Sequence, residues 1–103
     1  MAYRIVVTPE ARDQLDAIYD YIAGAASPEI ALRFTSGIID HLATLADHPR
    51  IGTPRDDLRA GLRTLPHRRR VTIAFMLEHE AVVVLGFYYG GQDFETMLRD
   101  DQP

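Results

Sequence analysis

The sequence predicts an α+β domain of order β-α-α-β-β-β, an antiparallel sheet packed on one face by a helical hairpin. Three observations predict it. Two apolar stripes at helical spacing follow the same proline-containing start signal and are separated by a very short joint. After Gly61 the hydrophobic period switches to two. A short apolar run, Tyr3 to Val7, precedes both stripes and reads as a strand. The 103 residues, 1–103, fit one domain. Helices on one side of such a sheet leave its reverse face to be polar or covered by a partner.

The elements follow in order. Thr8 is a good N-cap, Pro9 suits the first helical position and Glu10 complements the positive helix end. Behind them Ala11, Leu15, Ile18, Ile22 and Ala25 form one stripe. Gly24 and the small residues after it weaken the helix, and the start signal repeats as Ser27-Pro28-Glu29. Ala31, Phe34, Ile38, Leu42 and Leu45 form the second stripe, which Asp47-His48-Pro49 ends because the residue before proline disfavours helical angles. Helices joined so tightly form an antiparallel hairpin.

Residues 48–61, with Pro49, Gly52, Pro54 and Gly61, read as a loop that Leu58 can pin down. Leu62 to Leu65 makes a short strand, limited by Pro66 to an edge or an end. From Arg70 to Leu77, Val71, Ile73, Phe75 and Leu77 share one side, and Arg70, Thr72, Ala74 and Met76 the other. Glu78-His79-Glu80 is a tight turn. Ala81 to Tyr89 is apolar on both faces around Val82 to Leu85, as a strand in mid-sheet must be. Gly90-Gly91 breaks it, Asp93 to Leu98 can form a last helical turn, and the polar tail is expected to fray.

Composition narrows the function. Apolar residues make up 47% and charged residues 25%, ordinary for a soluble globular chain. No apolar run is long enough to span a membrane, no signal-peptide pattern is present and there is no cysteine, so a cytoplasmic setting is expected. All 11 basic residues are arginines. Seven of them (50, 55, 59, 63, 68, 69, 70) lie in residues 50–70 against Asp56 and Asp57, a net of +5 within a chain of net −4. A basic centre in an acidic chain points to an acidic partner or a phosphate backbone; an arginine-rich, merely solvated loop is the plainer reading. No histidine pair has metal-ligand spacing and no glycine-rich loop has phosphate-cradling spacing, so neither a metal nor a cofactor is expected. His41 reads as a boundary residue of the second helix, His48 as its end and His79 as a turn residue. Beside three arginines, His67 has its charged form disfavoured; it is either a turn residue or a proton carrier. Phe87 and Tyr89 face one side and Tyr88 the other, which puts Tyr88 on the open face near Arg63 or Arg70.

Several segments in this order resemble the RelE/ParE superfamily of type II toxin–antitoxin toxins. They are Thr8-Pro9-Glu10-Ala11 with Leu15 and Ile18-Tyr19-Asp20-Tyr21-Ile22; Leu45 and His48-Pro49-Arg50-Ile51-Gly52; Arg55 to Arg63; and Val84 to Glu95 with Leu98. The last is similar to the ParE branch. The resemblance implies a cytoplasmic growth inhibitor, of a kind that serves plasmid stabilisation, held in a hetero-oligomer by a ParD-like antitoxin whose extended segment wraps it. For the ParE branch it implies a toxin that poisons DNA gyrase without chemistry of its own. For the RelE branch it implies a ribosome-dependent endoribonuclease acting on mRNA. A non-toxic, antitoxin-binding member is a third possibility.

Phosphodiester cleavage needs a base, an acid and cationic stabilisation of the developing charge. With no lysine, the candidates here are Arg63, His67, Arg70 and Tyr88. Arginine is a poor base because it is essentially never deprotonated. Where many RelE-type chains end in an arginine-rich strand tip and a late tyrosine, this one has Gly90-Gly91-Gln92. The ParE-type, non-enzymatic reading is therefore favoured, with Arg55, Arg59, Arg63, Arg68, Arg69, Arg70 and Tyr88 as partner-binding residues, since arginines and aromatics dominate interface hot spots.

Overall fold

The computed structural model describes residues 2–90. The chain runs β1 (Arg4–Val7), α1 (Pro9–Ala25), α2 (Pro28–Asp47), β2 (Thr53–Pro54), β3 (Leu62–His67), β4 (Val71–Glu78) and β5 (Ala81–Tyr89). The anticipated helical turn at 93–98, the second glycine of the Gly90-Gly91 pair and the fraying tail lie outside the described residues.

Both helices begin as their capping residues dictate. The Thr8 hydroxyl accepts from the Ala11 amide at 3.2 Å and the Ser27 hydroxyl from the Ile30 amide at 3.1 Å, with a proline in the first turn each time. Only Ala26 and Ser27 separate the helices, so they fold back on each other as a hairpin. The stripes hold with local changes. Ala11, Ile18 and Ile22 are buried and Leu15 partly so, whereas Ala25, at the last turn, is exposed. On α2 Ala31, Ile38, Leu42 and Leu45 are buried, joined by Thr35 rather than fully by Phe34. The Thr35 hydroxyl can be buried because it donates to the Ala31 carbonyl at 3.0 Å.

The sheet order is β1-β5-β4-β3-β2. β3 to β5 form the expected antiparallel meander, β2 pairs antiparallel with β3, and β1 joins in parallel alongside β5, from Arg4 opposite Ala81 to Val7 opposite Val84, which makes the sheet mixed. β5 thus lies between two strands, in keeping with its two apolar faces. β2 is an addition to the expected order: it is two residues long and has no alternation to announce it. β3 runs through Pro66 to His67. That is tolerated because β2 pairs only with Arg63 and Thr64, leaving Pro66 on an edge.

A β-bulge in β5 sets which residues face the helices. Ala74 pairs with Gly86 and Phe75 with Val84, leaving Leu85 as the extra residue. Alternation changes phase there. Val82 and Val84 face the helices before the bulge, and Phe87 and Tyr89 face them after it. Where β1 ends, α1 and its cap take over the edge of β5. The Phe87 amide donates to Gln14 Oε1 at 2.8 Å, and the Thr8 amide donates to the Val84 carbonyl at 3.1 Å.

The reverse face is not bare. Leu58, Leu62, Ala74 and Tyr88 form a second buried cluster, with Met76 and Leu85 packed against it. The 55–61 loop folds back so that Leu58 is 1% exposed, which at the usual transfer scale stabilises the loop by about 2 kcal/mol. Tyr88 lies flat along its own strand. A Cβ on Gly86 would sit 2.6 Å from its ring and hydroxyl.

Gly86→Ala is therefore expected to destabilise the chain by about 1–3 kcal/mol, seen as a lower urea midpoint with unchanged m. In a Tyr88→Ala background the same change should cost much less, because the ring is gone. Additive losses in that double-mutant cycle would contradict the packing described.

Candidate functional site

The basic stretch divides into three separate structures. Arg63 shares the helix-facing side of β3 with Leu65 and His67, because Leu62 faces the reverse cluster and side chains alternate. Its guanidinium donates to the carbonyls of Arg50, of Ile51 at 3.4 Å and of Gly52 at 3.3 Å. It is a clamp on the chain leaving α2, where free carbonyls would otherwise go unmet. Gly52 completes this corner. Its φ is +90°, and a Cβ there would lie 2.6 Å from the Thr64 carbonyl oxygen. Expected on the open face as a partner contact or catalytic cation, Arg63 is instead committed to backbone on the opposite side.

Arg55 and Arg59 belong to the loop that covers the reverse face. Arg55 binds Asp57 through two nitrogens, at 3.0 and 3.1 Å. Asp56 accepts from the Gly61 amide at 2.8 Å and closes the loop. The acidic pair thus serves loop structure, as adjacent carboxylates usually do. Arg59 is half-buried.

Arg68, Arg69 and Arg70 are exposed at the β3–β4 turn. Arg68 and Arg69 have φ of 50° and 58°, and the Arg70 amide donates to the His67 carbonyl at 3.0 Å. This is a two-residue turn of the I′ type, which ordinarily takes Asn-Gly. Two side-chain-bearing residues in the left-handed region cost about 1 kcal/mol each. Among the described residues, no carboxylate lies within ion-pair distance of these three guanidinium groups. They are a concentration of exposed positive charge.

The remaining candidates are dispersed. Tyr88 is on the reverse face, as alternation requires, but only 4% exposed, so its surface is spent on Leu58, Leu62 and Ala74. His67 is buried on the helix side, its ring edge-on to Phe34 with centroids 5.6 Å apart. Burial, then the neighbouring His41 and Arg68, hold its pKa below the ordinary histidine value. Tyr89 stacks between Tyr21 and Phe34. Arg63, His67, Arg70 and Tyr88 therefore do not converge on one surface where a phosphodiester could meet acid, base and cation together. Sequence reasoning missed His41, whose Nδ1 lies 3.0 Å from that of His67. It also missed Gln14; neither contact has a local signal. Among the described residues no three metal-ligating side chains cluster, and no helix is long and apolar enough to cross a membrane.

Known proteins match this architecture. The family model described as the ParE toxin of type II toxin–antitoxin systems matches residues 5–94. A comparison with curated proteins yields no match. Among solved structures, a chain of the chromosomal ParDE toxin–antitoxin system of P. aeruginosa is similar at 26% identity with a TM-score of 0.76, over 86% of this chain and 97% of that one. A chain of the RelBE2 toxin–antitoxin complex of Mycobacterium tuberculosis shares the fold at 22% identity with a TM-score of 0.58, over 86% of this chain and 99% of that one.

Two substitutions separate scaffold from surface. Arg63→Ala should lower stability by about 1–3 kcal/mol, since charged hydrogen bonds to three carbonyls are lost. Arg69→Gly should raise it by about 1 kcal/mol by relieving the left-handed strain. Denaturant titration checks both. A neutral Arg63→Ala or a destabilising Arg69→Gly would contradict the roles assigned.

Proposed function

This chain belongs to the ParE toxin family of type II toxin–antitoxin systems, and from that membership we propose that it inhibits growth by binding and poisoning DNA gyrase until a cognate ParD-like antitoxin neutralises it. The observation that carries the reading is the family match over nearly the whole chain. The geometry supports a binding rather than a catalytic mode of action. The side chains that cleavage would need lie on different faces or are buried, whereas Arg68, Arg69 and Arg70 present three exposed charges on a strained turn.

On this reading the arginine turn is the principal contact with the target or the antitoxin, while Arg55 and Arg59, at the opposite end of β3, belong to a separate loop surface. Exposed guanidinium groups suit carboxylates and phosphates alike through paired hydrogen bonds. The −9 charge of the rest of the chain steers an acidic partner toward the turn and away from the other surfaces. On the same reading Arg63, bonded to the 50–52 carbonyls, and Tyr88, buried in the reverse cluster, support the surface. The antitoxin is the partner that keeps the cell safe, and the complex with it is the form in which the chain is stored.

Purified chain should inhibit gyrase supercoiling or stabilise cleaved DNA. The triple variant Arg68→Ala, Arg69→Ala, Arg70→Ala should weaken that effect on the order of tenfold or more while remaining folded. Normal supercoiling at saturating protein would count against the proposal.

A further inference from the structure

His67 is the buried polar residue that the binding reading leaves unused. It ends β3, immediately before the arginine turn, and its side chain points into the seam between that turn and α2. There its Nδ1 meets His41 Nδ1 at 3.0 Å, with ring centroids 5.2 Å apart. The seat is made by Gly37: a Cβ there would lie 3.6 Å from His67 Nε2 and 3.9 Å from an Arg68 guanidinium nitrogen. Both side chains thus approach this mid-helix position to within ordinary contact of where a Cβ would stand. Among the described residues, the buried His67 Nε2 has no hydrogen-bond partner.

We propose that the His41–His67 pair is a proton-operated latch that ties the Arg68–Arg70 turn to α2, closed while both rings are neutral and released when acid protonates both. A 3.0 Å contact between two imidazole nitrogens requires one donor and one acceptor. If His67 were the acceptor, its own proton would sit on Nε2, a buried N–H with no partner. With Nδ1 of His67 donating, Nε2 carries only a lone pair, and an unmet acceptor is the more tolerable orphan. The neutral latch is therefore His67 Nδ1–H donating to His41 Nδ1, which leaves the His41 Nε2 proton on a half-buried ring. One added proton, whichever ring holds it, puts a hydrogen on the buried His67 Nε2: a cationic His41 makes His67 the acceptor, and a cationic His67 is protonated at both nitrogens. A second leaves no acceptor, and two like charges then face each other across the contact.

The surroundings set the direction of the effect. From α2 the pair meets His41 itself, with Glu29, Arg33 and Asp40 bordering the groove beside Arg68. From the turn it meets Arg68, and from β5 the nearest titratable ring is Tyr89, one ring further along past Phe34. The cross-strand partner on β4, Val71, is uncharged. Burial, His41 and Arg68 all lower the His67 pKa. Because the folded value lies below the unfolded one, the unfolded chain takes the proton first. Stability is complete above the ordinary histidine value and is lost as pH falls from there through the lowered value. What opens is local: the turn that aims the three arginines. The latch operates whichever partner the turn meets.

The test is a pH titration of the full chain by NMR, reading the ring nitrogens of the histidines and the backbone amides of Arg68, Arg69 and Arg70. At neutral pH the His67 proton should be found on Nδ1. His67 should titrate below the ordinary histidine value, and the turn amides should shift with the same midpoint. His41→Asn keeps an acceptor for His67 but removes the second imidazole, so the acid movement of the turn amides should be lost. Three results would overturn the latch: a His67 proton on Nε2, turn amides that stay still while His67 titrates, or turn amides that move as before in His41→Asn. The titration of the unaltered chain is decisive in its own right should that variant fold poorly.

Discussion

Everything in this fold depends on one strand serving both layers of the molecule, and β5 can do so only because it is bulged. Strict alternation from Val82 would carry Val84 and then Gly86 and Tyr88 to the helices, sending Phe87 to the reverse side. Leu85 is the extra residue that changes the phase. Phe87 then reaches the helical core while Tyr88 turns to the second cluster. On the other edge of β5, beyond the end of β1, backbone groups are met by Thr8 and Gln14.

That arrangement governs which surfaces are available to partners. The helix side is filled by the hairpin, and the middle of the reverse side by Leu58 and Tyr88. What stays outside is the rim, and on the rim the concentrated charge is the arginine turn. A rigid sheet presenting a narrow, charged turn suits recognition, because the ordering cost has been met before a partner arrives. Strain at Arg68 and Arg69 sits where a binding element would hold it, a short turn kept in place by paired strands on both sides.

Much of this was legible in the sequence. Thr8-Pro9-Glu10 and Ser27-Pro28-Glu29 marked both helix starts, the stripes marked the buried faces, and the change of period after Gly61 marked the meander. These signals are local, carried by residues within one or two turns of each other. The resemblance to the RelE/ParE superfamily rested on short segments in order, and the family match bears it out. Less legible was anything requiring distant segments to meet: the parallel docking of β1, the bulge, the pairing of His41 with His67 across 26 positions and the turning of Arg63 toward the α2 exit. Arg63 and Tyr88 were read as exposed because a single strand shows alternation without showing which side a loop will cover. For Tyr88 the 55–61 loop decides that, and its only hint is Leu58; for Arg63 the carbonyls of residues 50–52 decide it.

The central claim is that this chain acts by holding a target rather than by cutting one. Its most direct measurement is induced expression of the chain alone in cells, with a DNA-damage reporter and transcript integrity followed together. The account predicts growth arrest with the reporter switched on and translated messages intact. Messages cut at the ribosomal A site with a silent reporter would contradict it, and unimpaired growth would show that this member is not a toxin in those cells.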